Sequence, residues 1–399
     1  MSDEYIRSPY ETYGLLRQQA PVYWSDRWNG WLITRYDDVQ AVMRDRKTFS
    51  NQNRYTQYIG SLTEEQRGRL TYLIDHYERG GLVQSDPPDH TRLRKLISGA
   101  FTANRVAKMA GLVTEIADSL IAFFCDQDEV ELIYHFAFPL PAIVIAGMLG
   151  VPAEERDQFK EWSATIQRFL GSGTVSFEYA LAAQDAWMNM NGFFEALLSE
   201  RTKAPKDDLV SAMAQAHEDG ERLTKDELIR TCGAMLIAGH ETTTNLIASA
   251  IWLLHERPDQ LKLLRGNPAL YPCAVEEVLR FESPFQSAPR TVTADVVIAG
   301  QTLRQGDLAY VMLGAANRDP SQFPHPNRFS IERTDNRHVA FGYGIHLCLG
   351  AALARLEAPI AIQALLDRFP HMHLPEDRPP VWKRSMVQRG MEQFNVRLG

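Results

Sequence analysis

The chain has 399 residues, 45% of them apolar and 23% charged, with a formal net charge of -8. That length and composition suit a large buried core, and the acidic balance argues against nucleic acid as a partner, because phosphate-binding surfaces carry a basic excess. Its four cysteines, Cys125, Cys232, Cys273 and Cys348, are widely spaced with no CxxC pair, so neither a disulfide framework nor a zinc site is expected.

The opening residues, Met1-Ser-Asp-Glu-Tyr, lack a basic stretch followed by an apolar one, so no secretory signal is expected. From Pro21 to Arg35, Val, Tyr, Trp, Ile and Thr flank Asn29-Gly30, which predicts a hairpin. Most of the chain from Tyr36 to about Glu282 then reads as helix. The longest apolar run, Ala137 to Val151, is interrupted by Pro139 and Pro141; it is too short to span a membrane and reads as buried core.

Thr224 and Glu227 form a T-x-x-E capping box ahead of an apolar periodic run. They predict a helix reaching about Arg257, where Pro258 stops it, roughly 50 Å long. Its flanks are apolar, but its middle, Gly239-His-Glu-Thr-Thr-Thr-Asn245, is polar, and a buried helix does not carry such a patch without partners. His240-Glu241 begins an H-E-x-x-H pattern, yet Thr244 stands where the second histidine belongs, which excludes a zinc protease of that type.

Strands return between Thr291 and Leu313, with turns at Ala299-Gly300 and Gln305-Gly306. Helix follows Cys348, and the tail from Pro375 reads as irregular or short-stranded. No linker, charge block or repeat marks a boundary, so one domain over residues 1–399 is expected: mainly α, with small β-sheets contributed from both ends as a minor β-rich lobe.

Residues 341 to 350 read Phe-Gly-Tyr-Gly-Ile-His-Leu-Cys-Leu-Gly and precede a strong helix-forming run, Ala351-Ala-Leu-Ala-Arg-Leu-Glu-Ala. Cys348 is therefore expected at a helix N-terminus, where free N–H groups and the dipole favour thiolate over thiol. Gly342 and Gly344 suit a tight bulged loop. A free cysteine is ordinarily a small buried hydrophobe, and Cys125, Cys232 and Cys273 are read as ordinary core or partly buried residues. The pattern F-G-x-G-x-H-x-C-x-G around Cys348 is too specific for that reading, since each fixed position has odds of about one in twenty. It resembles the haem-binding signature of the cytochrome P-450 superfamily, in which a proximal cysteine thiolate ligates the iron and favours O–O cleavage.

The resemblance covers essentially the whole chain and implies a haem-thiolate fold with a long central helix over haem b (iron protoporphyrin IX). Cys348 would be the iron ligand, with Phe341, Gly342 and Gly350 beside the macrocycle. Ala238-Gly-His-Glu-Thr-Thr resembles the family's oxygen-binding motif: Ala238 and Gly239 would lie against the haem, Gly239 opening the helix locally, and Glu241 with Thr242 would relay protons. His90 and Arg94, i,i+4 on a helix after Pro87-Pro88, with Arg290 and His346, would hold the two propionates. Glu277-Val-Leu-Arg280 resembles the family's structural E-x-x-R element, with Arg328 as the expected third member. Arg92 and Lys95 fall off the His90/Arg94 face and read as a solvated face that could also meet an acidic electron donor.

The resemblance implies a monooxygenase that uses dioxygen to hydroxylate or epoxidise a small apolar organic molecule. No flavin or nicotinamide fingerprint is present, so electrons are expected from an external ferredoxin and ferredoxin reductase, in the cytoplasm and without a membrane. A peroxide-driven peroxygenase and a non-enzymatic haem sensor stand as alternatives, the former disfavoured by the intact Glu241-Thr242 pair. Some members couple, dehydrate or isomerise instead of inserting oxygen. The pocket is expected between the Asn51–Gln84 loop, the Ala153–Lys206 lid helices, the helix face near Ala238, Pro284–Ala288 and the turn at Gly390-Met391, with Phe169, Leu170, Phe177 and Phe285 as apolar candidates.

Overall fold

A computed structural model describes residues 2–52, 59–171, 176–217 and 220–399. Parts of the expected pocket loop (53–58) and of the lid region (172–175) lie outside the described residues.

The elements that position the site are seven helices and two small sheets. The helices are α1 (Asp89–Ala100), α2 (Pro139–Leu149), α3 (Arg156–Gly171), α4 (Phe177–Lys203), α5 (Lys225–His255), α6 (Tyr271–Phe281) and α7 (Ala351–Arg368). The expected capping box is present: Thr224 Oγ1 accepts from Glu227 N at 3.2 Å, and Glu227 Oε2 accepts from Thr224 N at 2.8 Å. These bonds satisfy two of the N–H groups that a helix start leaves without partners. Thr224→Ala is expected to lower stability by about 1 kcal/mol, read as a shifted urea midpoint at unchanged slope.

Helix α5 runs through the interior, packed against α2, α4, α6 and α7. Apolar flanks such as Leu228, Leu236, Leu246, Ile247, Ile251 and Leu254 are buried in the main core. The apolar run with two prolines is α2; Pro139 and Pro141 sit in its first turn, where a missing N–H costs no hydrogen bond. No helix among the described residues is long and apolar enough to cross a membrane.

Both ends of the chain contribute to one five-stranded sheet. Its strands are β1 (Val22–Ser25), β2 (Gly30–Ile33), β3 (Phe49–Ser50), β4 (Ala288–Val292) and β5 (Leu308–Val311), in the order β1-β2-β5-β4-β3. The expected hairpin is present, but its register, Val22 opposite Ile33 and Ser25 opposite Gly30, leaves a four-residue loop, Asp26 to Asn29, with Asn29 left-handed (φ 45°) and Gly30 already in β2; β2 continues parallel to β5. The sheet covers a second core of Val22, Ile33, Val39, Phe49, Val292 and Val311. Near the C-terminus β6 (Val381–Trp382) and β7 (Met391–Gln393) pair antiparallel. The mainly α architecture with small sheets is thus as expected, and the strand-rich stretch ends at Val311 in place of Leu313.

Candidate functional site

The Cys348 loop is shaped by its glycines. Gly342 and Gly344 have φ of 77° and 73°, a region open to glycine and strained for other residues. Gly344 lies so close to the chain that an added Cβ would stand 2.9 Å from Met43 O. Cys348 N donates to Phe341 O at 2.9 Å, closing the loop, and α7 starts at Ala351 immediately beyond. The Cys348 sulfur is accessible, and the space it faces is a cavity rather than the outer surface.

Burial pushes the Cys348 thiol up. The N–H of Gly350, the charges of Arg94 and Arg355, and the N–H of Ala351 all pull it down. The helix start therefore acts in the expected direction, but desolvation outweighs it in the protein alone. A coordinated metal ion would reverse that balance, because it deprotonates a thiol ligand. Cys232 is fully buried, Cys125 is partly buried, and Cys273 is exposed, unlike the partly buried position expected for it.

The cavity has a volume of 520 Å³. Of the residues singled out in the sequence, it brings together His90, Arg94, Ala238, Gly239, Thr242, Arg290, Phe341, Gly342, His346, Cys348 and Gly350. Glu241 is the exception. Its carboxylate turns to Lys383, whose Nζ donates to Oε1 at 2.7 Å, and it takes no part in the cavity wall. Thr242 does face the cavity, its Oγ1 donating to Ala238 O at 3.0 Å. His240 is buried with Nδ1 2.7 Å from Leu236 O, and burial lowers its pKa.

Four nitrogen-bearing side chains, His90, Arg94, Arg290 and His346, line the same cavity. The His90 and His346 rings lie 4.2 Å apart, centroid to centroid, and Arg94 and Arg290 face the same cavity. His90 is 2% exposed, and its Nε2 has no hydrogen-bond partner among the described residues. Burial lowers the pKa of both His90 and Arg94; Arg94 further depresses His90, while Cys348 opposes the fall at Arg94. A buried ring nitrogen without a partner beside the half-buried Arg94 guanidinium fits a group that brings anionic oxygens. At Gly350 an added Cβ would meet only Cys348 Sγ, at 3.9 Å, so the backbone there lies open to a flat ring. These residues fit a haem with its two propionates.

Several expectations need correction. Gly239 does not open the helix, since α5 is continuous from Lys225 to His255; its missing Cβ instead lets Ile145 of α2 approach, at 3.0 Å from where a Cβ would stand. The third member of the Glu277-Arg280 network is Arg333, whose Nε donates to Glu277 Oε2 at 3.1 Å; Arg328 supplies only its carbonyl. The C-terminal turn reaches the cavity through Met386, Val387 and Gln388, whereas Met391 is buried and Gly390 packs on Asn245. Phe169, Leu170 and Phe285 line the cavity, but Phe177 stacks beneath Arg69 at 5.0 Å. Arg92 is committed to Glu227, with which it is paired, and stands 3.6 Å from Glu221, so its charge is largely satisfied within the chain. Lys383, Arg333 and the Met386–Gln388 turn were missed because each reaches its partners from a distant, irregular segment without a motif.

Comparison with known proteins agrees with this geometry. The profile of the cytochrome P450 family matches residues 32–267 and 270–394. Cytochrome P450 107B1 of Saccharopolyspora erythraea is 40% identical over 100% of this chain and 96% of its own. Vitamin D(3) 25-hydroxylase of Pseudonocardia autotrophica is 38% identical, again over 100% of this chain and 96% of its own. The solved structure of P450BioI in complex with hexadec-9Z-enoic acid ligated acyl carrier protein superimposes with a TM-score of 0.90, at 37% identity over 99% of each chain. On this agreement of profile, sequence, fold and site, the chain belongs to the cytochrome P450 family of monooxygenases.

Proposed function

We propose that the chain uses haem b to insert one atom of dioxygen into a C–H or C=C bond of a small apolar molecule. In this reading the electrons come from a separate ferredoxin and its reductase, and residues 1–399 act as one cytoplasmic domain. The observation that carries it is the placement of an accessible thiol, Cys348, and a hydroxyl, Thr242, on one cavity whose remaining wall includes Phe169, Leu170, Phe285 and Met386. Apolar walls exclude water and favour an apolar guest.

When bound, the haem supplies the iron at which dioxygen is taken up and reduced. Cys348 would hold that iron as thiolate, and the N–H groups of Gly350 and Ala351 temper its basicity. His90, Arg94, Arg290 and His346 would hold the propionates. Thr242 Oγ1 needs only to rotate from Ala238 O to donate into the cavity, and Glu241, one residue earlier on the same helix, would resupply its proton from the outer side.

Thr242→Ala is expected to leave haem content and ligand binding intact, while product formed per NADPH falls on the order of 10²-fold and peroxide accumulates. Unchanged coupling would remove Thr242 from the relay. The wider test is a screen of fatty acids, steroids, terpenoids and macrolactones for a low-to-high-spin shift, followed by turnover under labelled dioxygen. One labelled oxygen in the product with reduced ferredoxin supports the reading; product from hydrogen peroxide alone would favour a peroxygenase, and spin-shifting ligands that are never oxidised would favour a sensor.

A further inference from the structure

The polar patch on α5 holds more than the proposed relay. Glu241 and Asn245 lie i,i+4 on one face, and both are engaged by Lys383, at 2.7 Å to Glu241 Oε1 and 3.4 Å to Asn245 Oδ1. The side chains of Lys383 and Glu241 are only 21% and 14% exposed. Asn245 is fully buried, its Nδ2 has no partner among the described residues, and its Oδ1 is turned toward Lys383. Packing here is tight: at Gly390 an added Cβ would stand 1.9 Å from Asn245 Oδ1, and Lys383 N donates to Gly390 O at 3.0 Å. Pairing of β6 with β7 thus presses the Lys383 ammonium onto α5, behind the wall that Thr242 presents to the cavity.

From this geometry we infer that Lys383 is a positioning residue for the proton relay: with Asn245 it holds the Glu241 carboxylate turned from the cavity and so restrains proton delivery while no substrate is bound. The inference rests on the proposed relay role of Glu241. In the held position Glu241 accepts from Lys383 and offers nothing to Thr242. On release the carboxylate takes a proton from solvent and passes it toward Thr242, so it ends as the carboxylate that Lys383 holds again, and Lys383 keeps its own proton throughout. An ion pair at this depth is worth enough to bias two side-chain positions, and little enough to be broken on each cycle.

The test uses haem-loaded, substrate-free protein with a surrogate ferredoxin, its reductase, NADPH and air. Lys383→Met should raise substrate-free NADPH oxidation about fivefold, the scale of one lost ion pair. Lys383→Arg should restore the wild-type rate, and the imidazole dissociation constant should be the same in all variants. The double variant E241Q/K383M should fall back to the rate of Glu241→Gln. In unfolding experiments the midpoint shifts of the two single variants should not add in the double variant. If Lys383→Met oxidises NADPH at the wild-type rate while Glu241→Gln oxidises it more slowly, the restraint is refuted and the relay stands. If the double variant leaks as Lys383→Met does, the released acid is not Glu241, and the relay reading fails with the inference. Additive midpoint shifts would show that the pair does not form.

Discussion

Cys348→Ser should abolish monooxygenase activity, with product formation falling at least about 10³-fold, while the protein still folds. Cys348 lies at the cavity rather than in the core, and the loop around it is built by backbone: Cys348 N to Phe341 O at 2.9 Å, Gly342 N to Val339 O at 2.8 Å and Leu347 N to Gly344 O at 3.1 Å. Serine can keep all of these bonds. What it lacks is a thiolate, and the N–H groups of Gly350 and Ala351 cannot make an alkoxide from an alcohol at neutral pH. The reduced carbon monoxide complex of the parent should show the far red-shifted Soret band of a thiolate-bound haem, and the serine variant should not. Cys273→Ser, at an exposed position away from the cavity, should keep the band. A Cys348→Ser protein that retained it would remove Cys348 as the ligand.

The legible parts of this protein are those written in local patterns. The α5 start is one, because T-x-x-E satisfies helix donors within four residues. The loop before α7 is another, because two left-handed glycines and a cysteine at fixed spacing leave few other conformations. Side-chain partners across long separations are of a different kind. Lys383 meets Glu241 from 142 residues away, just past a two-residue strand that has no periodicity to announce it. The same limit explains Arg328. Two arginines lie five residues apart in one irregular loop, and only the path of the backbone decides that Arg333 offers its guanidinium and Arg328 its carbonyl. Gly239 shows how a correct residue can carry a different reason: a glycine in a helix suggests an opening, yet here it makes room for Ile145.

That loop network gives the largest expected loss of stability. Glu277 and Arg280 are both fully buried and joined by two bonds of 2.8 Å, Arg280 Nε to Oε2 and Nη2 to Oε1. Glu277 also accepts from Arg333 Nε at 3.1 Å, Ser330 N at 2.9 Å and Asn336 Nδ2 at 3.3 Å. Glu277→Gln preserves shape but removes the charge and turns an –NH₂ toward donors, leaving two guanidiniums without a counter-charge. A broken buried pair of this kind costs about 3–5 kcal/mol, which should appear as a lower urea midpoint. The damage should also reach the sulfur. Arg280 Nη1 holds Asn317 O at 3.0 Å, Asn317 Oδ1 accepts from Val339 N at 2.7 Å, and Val339 O accepts from Gly342 N at the entrance to the Cys348 loop. A chain of hydrogen bonds therefore connects α6 to the Cys348 loop without any substrate contact. On mild warming, Glu277→Gln should convert its red-shifted carbon monoxide band to the ordinary position well before the parent does, with ligand affinity unchanged while the band lasts. A variant with the parent's unfolding midpoint and band lifetime would show that the network carries no load.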